Sequence, residues 1–214
     1  MKTTFRVNLL RLLFVTLGML SFSLVGQAGV LFSIGPNWNN FVFEPEAKED
    51  TPNYYGYGGR IAWGYSVAQV FDLGLYTQYT PGQLKEASAM DADASLLDYG
   101  AEFGVRIFDL LYIGTRAGVW KYQLFKSKED GEIAGKWMGL GGSASVGMIM
   151  PISKRASWQT SLDLGQASMR KVNNTGADAS TGNKKLSRIS ITVGFVYNDD
   201  DTESVSGKLW RSYF

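Results

Sequence analysis

Eight ionisable side chains recur at positions that alternate with apolar residues: Arg60, Asp72, Asp98, Glu102, Arg106, Arg116, Asp163 and Arg188, four basic and four acidic. Equal numbers of the two signs suit ion pairing rather than proton transfer. The chain has His 0 and Cys 0. The commonest general base and metal ligand is therefore missing, and with it go disulfides, thiolate metal sites and a lipidated amino-terminal cysteine. No other nucleophile–base pairing stands out. The sequence thus offers no catalytic residue, no metal site and no cofactor. Gly139-Leu140-Gly141-Gly142-Ser143-Ala144 loosely matches a dinucleotide loop, but no strand–loop–helix unit surrounds it. Asp91/Asp93 and Asp199-Asp200-Asp201 lack full calcium-ligand spacing and read as solvated acidic loop.

The elements that must hold the charged set are strands. From Gly58 to Val67, Ile61, Trp63 and Tyr65 alternate with Arg60, Ala62, Gly64 and Ser66. From Leu97 to Ile107, apolar residues alternate with Asp98, Gly100, Glu102, Gly104 and Arg106. Strand side chains point alternately to opposite faces, so each segment has one greasy and one polar face. Eight such segments are expected, at roughly 29–43, 54–67, 71–80, 95–108, 111–125, 137–150, 157–170 and 186–197. The joints at 68–70, 109–110 and 151–156 are short, whereas 44–53, 81–94, 126–136 and 171–185 are longer and polar. Short turns at one end and long loops at the other predict an all-β fold. It is a closed antiparallel up-and-down transmembrane β-barrel of eight strands, apolar toward lipid and polar inside.

Facing follows from cost. A Lys or Arg on the lipid face near the midplane costs about 2–4 kcal/mol, so the eight charged residues are assigned to the lumen. An eight-stranded barrel is just wide enough for side chains to fill, so these groups must pair into a structural network. Inward glycines (Gly64, Gly74, Gly104, Gly114, Gly118, Gly141, Gly147) leave volume for Tyr76, Trp120, Tyr122 and the arginine forks. The alternative is a gated polar path. Met138, Met148 and Met150 form an outward stripe toward lipid. Aromatic girdles are expected at both boundaries, where rings with one wet edge settle. Tyr54, Tyr55, Tyr57, Tyr79, Tyr99 and Trp137 would lie at the loop end, and Phe71, Phe108, Tyr112, Trp158, Phe195 and Tyr197 at the short-turn end.

The ends carry separate messages. Lys2, Arg6 and Arg11 precede an apolar run from Leu12 to Val25, followed by Gly26-Gln27-Ala28 with small residues at the −3 and −1 positions. Residues 1–28 read as a cleaved secretory signal peptide. The rival, a membrane anchor, needs about 20 apolar residues and a positive stop-transfer cluster. Without the leader the 21 basic residues become 18 against 20 acidic, a net charge of −2, which leaves no footprint for nucleic acid. Residues 29–197 form the barrel, and 198–214 are expected as a short periplasmic tail.

Leader, alternation, turn–loop asymmetry and balanced interior charge together resemble the small eight-stranded outer-membrane barrels of the OmpA/OmpX type, across roughly residues 29–197. The resemblance implies a Gram-negative outer membrane with both termini periplasmic. It further implies contact with outer-membrane lipid and lipopolysaccharide, insertion by the barrel assembly machinery, and an extracellular partner of unstated chemistry met through the loops. Such barrels commonly end on an aromatic residue that the assembly machinery reads. Here the last strand is expected to close at Tyr197, and Phe214 is the alternative signal. Barrel enzymes of this membrane, such as lipid A deacylases and acyltransferases, omptin-type proteases and the phospholipase, depend on a catalytic His, so lipid modification is disfavoured. A narrow channel similar to the OmpW barrels would need an apolar lumen with a side exit. The favoured reading is a non-catalytic barrel with a filled polar lumen that stiffens the envelope or presents loops for surface interaction or adhesion.

Overall fold

The computed structural model describes residues 28–44, 53–67, 70–84, 94–108, 110–125, 133–172 and 184–199. Residues 1–27 of the expected 1–28 leader, the loop tips and residues 200–214 of the expected 198–214 tail lie outside the described residues, while Ala28 opens the first strand. Eight strands follow one another: β1 (Ala28–Glu44), β2 (Asn53–Val67), β3 (Phe71–Leu84), β4 (Ala94–Ile107), β5 (Leu111–Phe125), β6 (Ile133–Pro151), β7 (Ala156–Val172) and β8 (Lys184–Asn198). Each pairs with the next, antiparallel, and β8 returns to β1, which closes the barrel.

The register fixes the barrel's shape. Stepping through Cα partners from Ile34 leads to Ile61, Thr77, Tyr99, Val119, Leu140, Ser168 and Lys185, and arrives back on β1 at Glu44. The circuit gains 44 − 34 = 10 residues, so the strands are strongly staggered. That stagger over eight strands corresponds to a tilt of roughly 40° and an interior only one side chain deep from each wall.

Strands exceed their expected bounds mainly at the loop end. β3 was expected to stop at Thr80, before Pro81, yet it continues to Leu84, and β6 begins at Ile133 instead of 137. Proline lacks an N–H, and the wall accommodates this by breaking one ladder beside each. The β2–β3 pairing is interrupted between Gly59↔Tyr79 and Tyr55↔Gln83, the stretch that holds Pro81. The β1–β8 pairing is interrupted between Ile34↔Phe195 and Asn37↔Thr192, beside Pro36. β8 closes at Asn198, one residue past Tyr197, and the Asp199 N–H donates to the Val30 carbonyl at 3.0 Å. At the short-turn end the chain reverses tightly. The Leu110 N–H donates to the Ile107 carbonyl at 3.2 Å, and Phe108 takes φ 53°, the left-handed region that non-glycine residues enter at a cost.

Candidate functional site

The outer face is a band of large apolar side chains rising from the short turns. On β2 it includes Tyr65, Trp63 and Ile61, on β3 Phe71, Leu73 and Leu75, on β6 Met150, Met148 and Val146, and on β8 Val193, Ile191 and Ile189. About ten residues of tilted strand span it, roughly 25 Å of height, which matches the lipid-facing band of an outer-membrane barrel.

Behind that band lies the charged layer. Arg60 and Glu102 form an ion pair, and Arg60 Nη1 also donates to Ser33 Oγ at 3.3 Å. Arg116 bridges two carboxylates, with Nη2 at 3.1 Å from Asp163 Oδ1 and Nε at 3.4 Å from Glu102 Oε2. Thr192 Oγ1 donates to Asp163 Oδ2 at 3.3 Å. Arg188 Nη1 lies 2.9 Å from Asp98 Oδ1, a charge contact off the hydrogen-bonding axis, and its guanidinium stacks on the Trp120 ring at 4.3 Å. Nearer the short turns, Arg106 Nε donates to Asp72 Oδ2 at 2.8 Å. All eight sequence-selected charges are thus on the inner face, and each contacts an opposite charge from the same set. Gln78 joins Asn39 at 3.1 Å and continues the polar layer upward.

Glycines set the room for the largest ring. A Cβ on Gly141 would come within 2.7 Å of the Trp120 indole, and one on Gly165 within 2.8 Å. Gly104 and Gly114 play the same part around Tyr112. Some polar atoms in this layer have no protein partner, among them Arg116 Nη1, Arg188 Nη2, Ser143 Oγ and Trp120 Nε1. Buried groups of this kind demand solvent. Space of about 880 Å³ surrounds Gly142 and Gly165 and touches Arg116 and Arg188 inside and Asn40 and Gln166 outside. Strand pairing continues through this part of the wall (Ser143↔Gly165, Gly165↔Arg188).

Toward the loop end the interior changes character. Phe41, Phe43, Tyr54, Leu96, Tyr122, Trp137, Met169 and Leu186 are all buried and form one apolar cluster above Trp120. Phe43 stacks on Tyr122 at 4.8 Å and tilts against Trp137 at 5.1 Å, and Phe41 stacks on Tyr54 at 5.5 Å. The lumen is therefore polar through its middle and toward the short turns, and is capped by aromatics at the loop end. Trp137 and Tyr54 were assigned to the outer girdle, and Tyr112 to the lower one. All three point inward, a correction to the girdle set. The rest of the girdle faces out: Tyr55, Tyr57, Tyr79 and Tyr99 toward the loop end, and Trp158, Phe195 and Tyr197 at the short-turn end. Trp158 and Phe195 meet edge-on at 6.0 Å, and Phe108 sits 82% exposed in its turn. The cap has a signal in the sequence of β1. The parity that carries Ser33, Asn37 and Asn39 continues as Phe41 and Phe43.

No family profile matches the chain, and no curated protein does. Solved structures do resemble it. Neisserial surface protein A, NspA, is 14% identical over 78% of this chain and 96% of its own, with a TM-score of 0.50. The attachment invasion locus protein Ail of Yersinia pestis, solved with the heparin analogue sucrose octasulfate, is 12% identical over 80% of this chain and 99% of its own, at a TM-score of 0.48. OprG from Pseudomonas aeruginosa is 12% identical over 80% of this chain and 95% of its own, at 0.41. Eight antiparallel strands closed into a barrel, an apolar outer band and the likeness to NspA agree: the chain has the fold of the small eight-stranded outer-membrane barrels of the OmpA/OmpX type.

Proposed function

We propose that this protein is a non-catalytic barrel of the bacterial outer membrane, with both termini periplasmic, that acts through its fold and its loop end and carries no constitutive pore. The observation that carries this reading is the stacking of two closures in one narrow lumen: a paired charge layer and, above it, the aromatic cap from Phe41 to Leu186. Solute moving through would have to separate buried ion pairs and then displace packed rings. The contacts left to the molecule are those of its rim and loops, which rigid strands hold in place and which are free to carry recognition or adhesion. Lipopolysaccharide would surround the outer face, and the barrel assembly machinery would insert the chain.

Planar-bilayer recording of the intact protein tests this directly. We expect no steady single-channel current. Steady currents that Arg116→Ala enlarges would replace the reading with a narrow channel. In a second experiment, residues 85–93 and 173–183 are exchanged for short Gly-Ser linkers. The barrel should still fold in detergent, and cells carrying it should lose the surface attachment that wild-type cells gain over a deletion strain. Attachment that survives the exchange but disappears with lumen substitutions would count against loop-borne function.

A further inference from the structure

Two adjacent rows of outward side chains cross β6, β7, β8 and β1 side by side and differ in polarity. The upper row runs by register from Gly142 to Gln166, Ser187 and Val42, and the lower from Ala144 to Leu164, Ile189 and Asn40. The space of about 880 Å³ around Gly142 follows both rows, so its outer side is a shallow groove laid across the strands. Three strand spacings of about 4.8 Å give it a length of roughly 14 Å. Its β6 end has a floor of small residues: a Cβ on Gly142 would meet nothing but the Arg116 carbonyl, at 3.2 Å, and Ala144 is exposed. Exposed Leu164 and Ile189 form one long edge. Gln166 and Ser187 form the other, and among the described residues neither side chain has a hydrogen-bond partner.

The stagger lifts each row toward the loop end on the way from β6 to β1. On β1, β7 and β8 the first polar outward residues beyond Trp38, Leu164 and Ile189 are Asn40, Gln166 and Ser187, so the groove crosses the upper edge of the lipid-facing band. It carries no free charge. Arg116 and Arg188 border it from the lumen side, where both are buried and in contact with Asp163, Glu102 and Asp98. Arg170 and Lys185 stand nearer the loops, outside the lining, with interactions of their own.

An uncharged groove with one polar and one hydrocarbon edge, set where the lipid band ends, fits an acyl chain at the point where it joins its head group. The Gln166 side-chain amide offers both a donor and an acceptor, as does the Ser187 hydroxyl. A secondary amide presents the complementary pair, N–H and C=O. An ester presents acceptors alone and would leave an acceptor of the groove unpaired beside apolar surface, which costs free energy. We propose that this groove binds a membrane lipid by an amide-linked acyl chain, with the amide at Gln166 and Ser187 and the chain over Gly142, Ala144 and Leu164. The site is separate from the loops, and the inference rests on the membrane reading above.

The test uses the full-length protein folded in detergent and a matched pair of uncharged ligands: N-dodecanoylethanolamine and its ester counterpart, ethylene glycol monododecanoate. Each is titrated and retention is read by native mass spectrometry. We expect the amide to be held about fivefold more tightly, the scale of one neutral hydrogen bond. Gln166→Leu with Ser187→Ala should remove that preference and keep the binding of the chain. Ala144→Phe, which lays a ring over the glycine floor, should abolish retention of both ligands. Thr160→Ala, outward on β7 but below the groove, should change neither. Equal retention of the two ligands by the wild type, or retention of neither, overturns the proposal without any variant having to fold. A preference that survives Gln166→Leu with Ser187→Ala, or binding undiminished by Ala144→Phe, in proteins shown to be folded by their gel-mobility shift, overturns it as well. A protein that shows no preference yet inserts into a bilayer would leave the barrel reading standing, whereas failure to insert at all would remove that reading instead.

Discussion

Two zones of the same wall have opposite polarity. Across the lower and middle barrel, Leu73, Trp63 and Val146 face out while Arg60, Glu102, Arg116 and Asp163 face in. In the last turns of strand before the long loops, Lys136, Arg170 and Gln83 face out while Phe41, Phe43, Trp137, Met169 and Leu186 face in. Parity along each strand does not change; what changes is the surrounding solvent. Where lipid lies outside, apolar groups go outward, and the interior has to absorb whatever polar residues the chain carries. Where the strands run on above the lipid, water lies outside, and the hydrophobic effect drives rings inward as in a soluble barrel. The barrel therefore behaves as two proteins stacked end to end on one continuous hydrogen-bonded wall.

The largest test of this contrast is Glu102→Ala. Glu102 touches both Arg60 and Arg116, so removing it leaves two buried guanidiniums short of a counter-charge. Breaking a buried pair by deleting one partner costs about 3–5 kcal/mol, and urea unfolding of the barrel in lipid, followed by its gel-mobility shift, should show a loss of that size. A loss under about 1 kcal/mol, the scale of exposed pairs, would mean that water screens the arginines as it does at a surface, and the lower zone would then not be the tightly paired interior described.

This distinction also explains what was legible in the sequence. The eight strands, the short turns and the inward charges could be read because a charge facing lipid is too costly to place anywhere else. Arg60 and Asp163 had one permissible face. Aromatic rings carry no such constraint: Trp137 is tolerable at a membrane boundary and in an apolar core alike, so the ring by itself could not decide. The decisive clue was its neighbour. Lys136 sits on the parity that Met138 and Leu140 use to face lipid, which marks the height at which the lipid has ended. Strand ends were underestimated for a related reason. Pro81 reads as a stop, and only the pairing on either side shows that it occupies a ladder already broken.

A second substitution probes the outer face of the lower zone. Leu164 is exposed on the band, with Asp163 and Gly165 turned inward on either side. Leu164→Lys would place an ammonium against hydrocarbon, at a cost of about 2–4 kcal/mol near the midplane. Folding yield into a thin and a thick bilayer should both fall, the thick one more, because the side chain has further to reach for water. An unchanged yield in both would place Leu164 above the lipid and move the boundary between the zones downward.

The smallest expected effect lies on the other side of that boundary. Gln83 faces out on the extension of β3, two residues past Pro81 and level with the exposed end of the barrel. If water surrounds this zone, Gln83→Lys changes only an exposed side chain, and its effect on stability should stay within about 0.5 kcal/mol. The substitution is the same in kind as Leu164→Lys, a lysine placed on the outward parity, so any difference between the two reports the solvent outside the wall. The unfolding midpoint should also be insensitive to bilayer thickness. A penalty matching that of Leu164→Lys would show that lipid reaches the loop end of β3. The aromatic cap would then be a feature of the membrane-embedded lumen, and the change of polarity along the wall would need another cause.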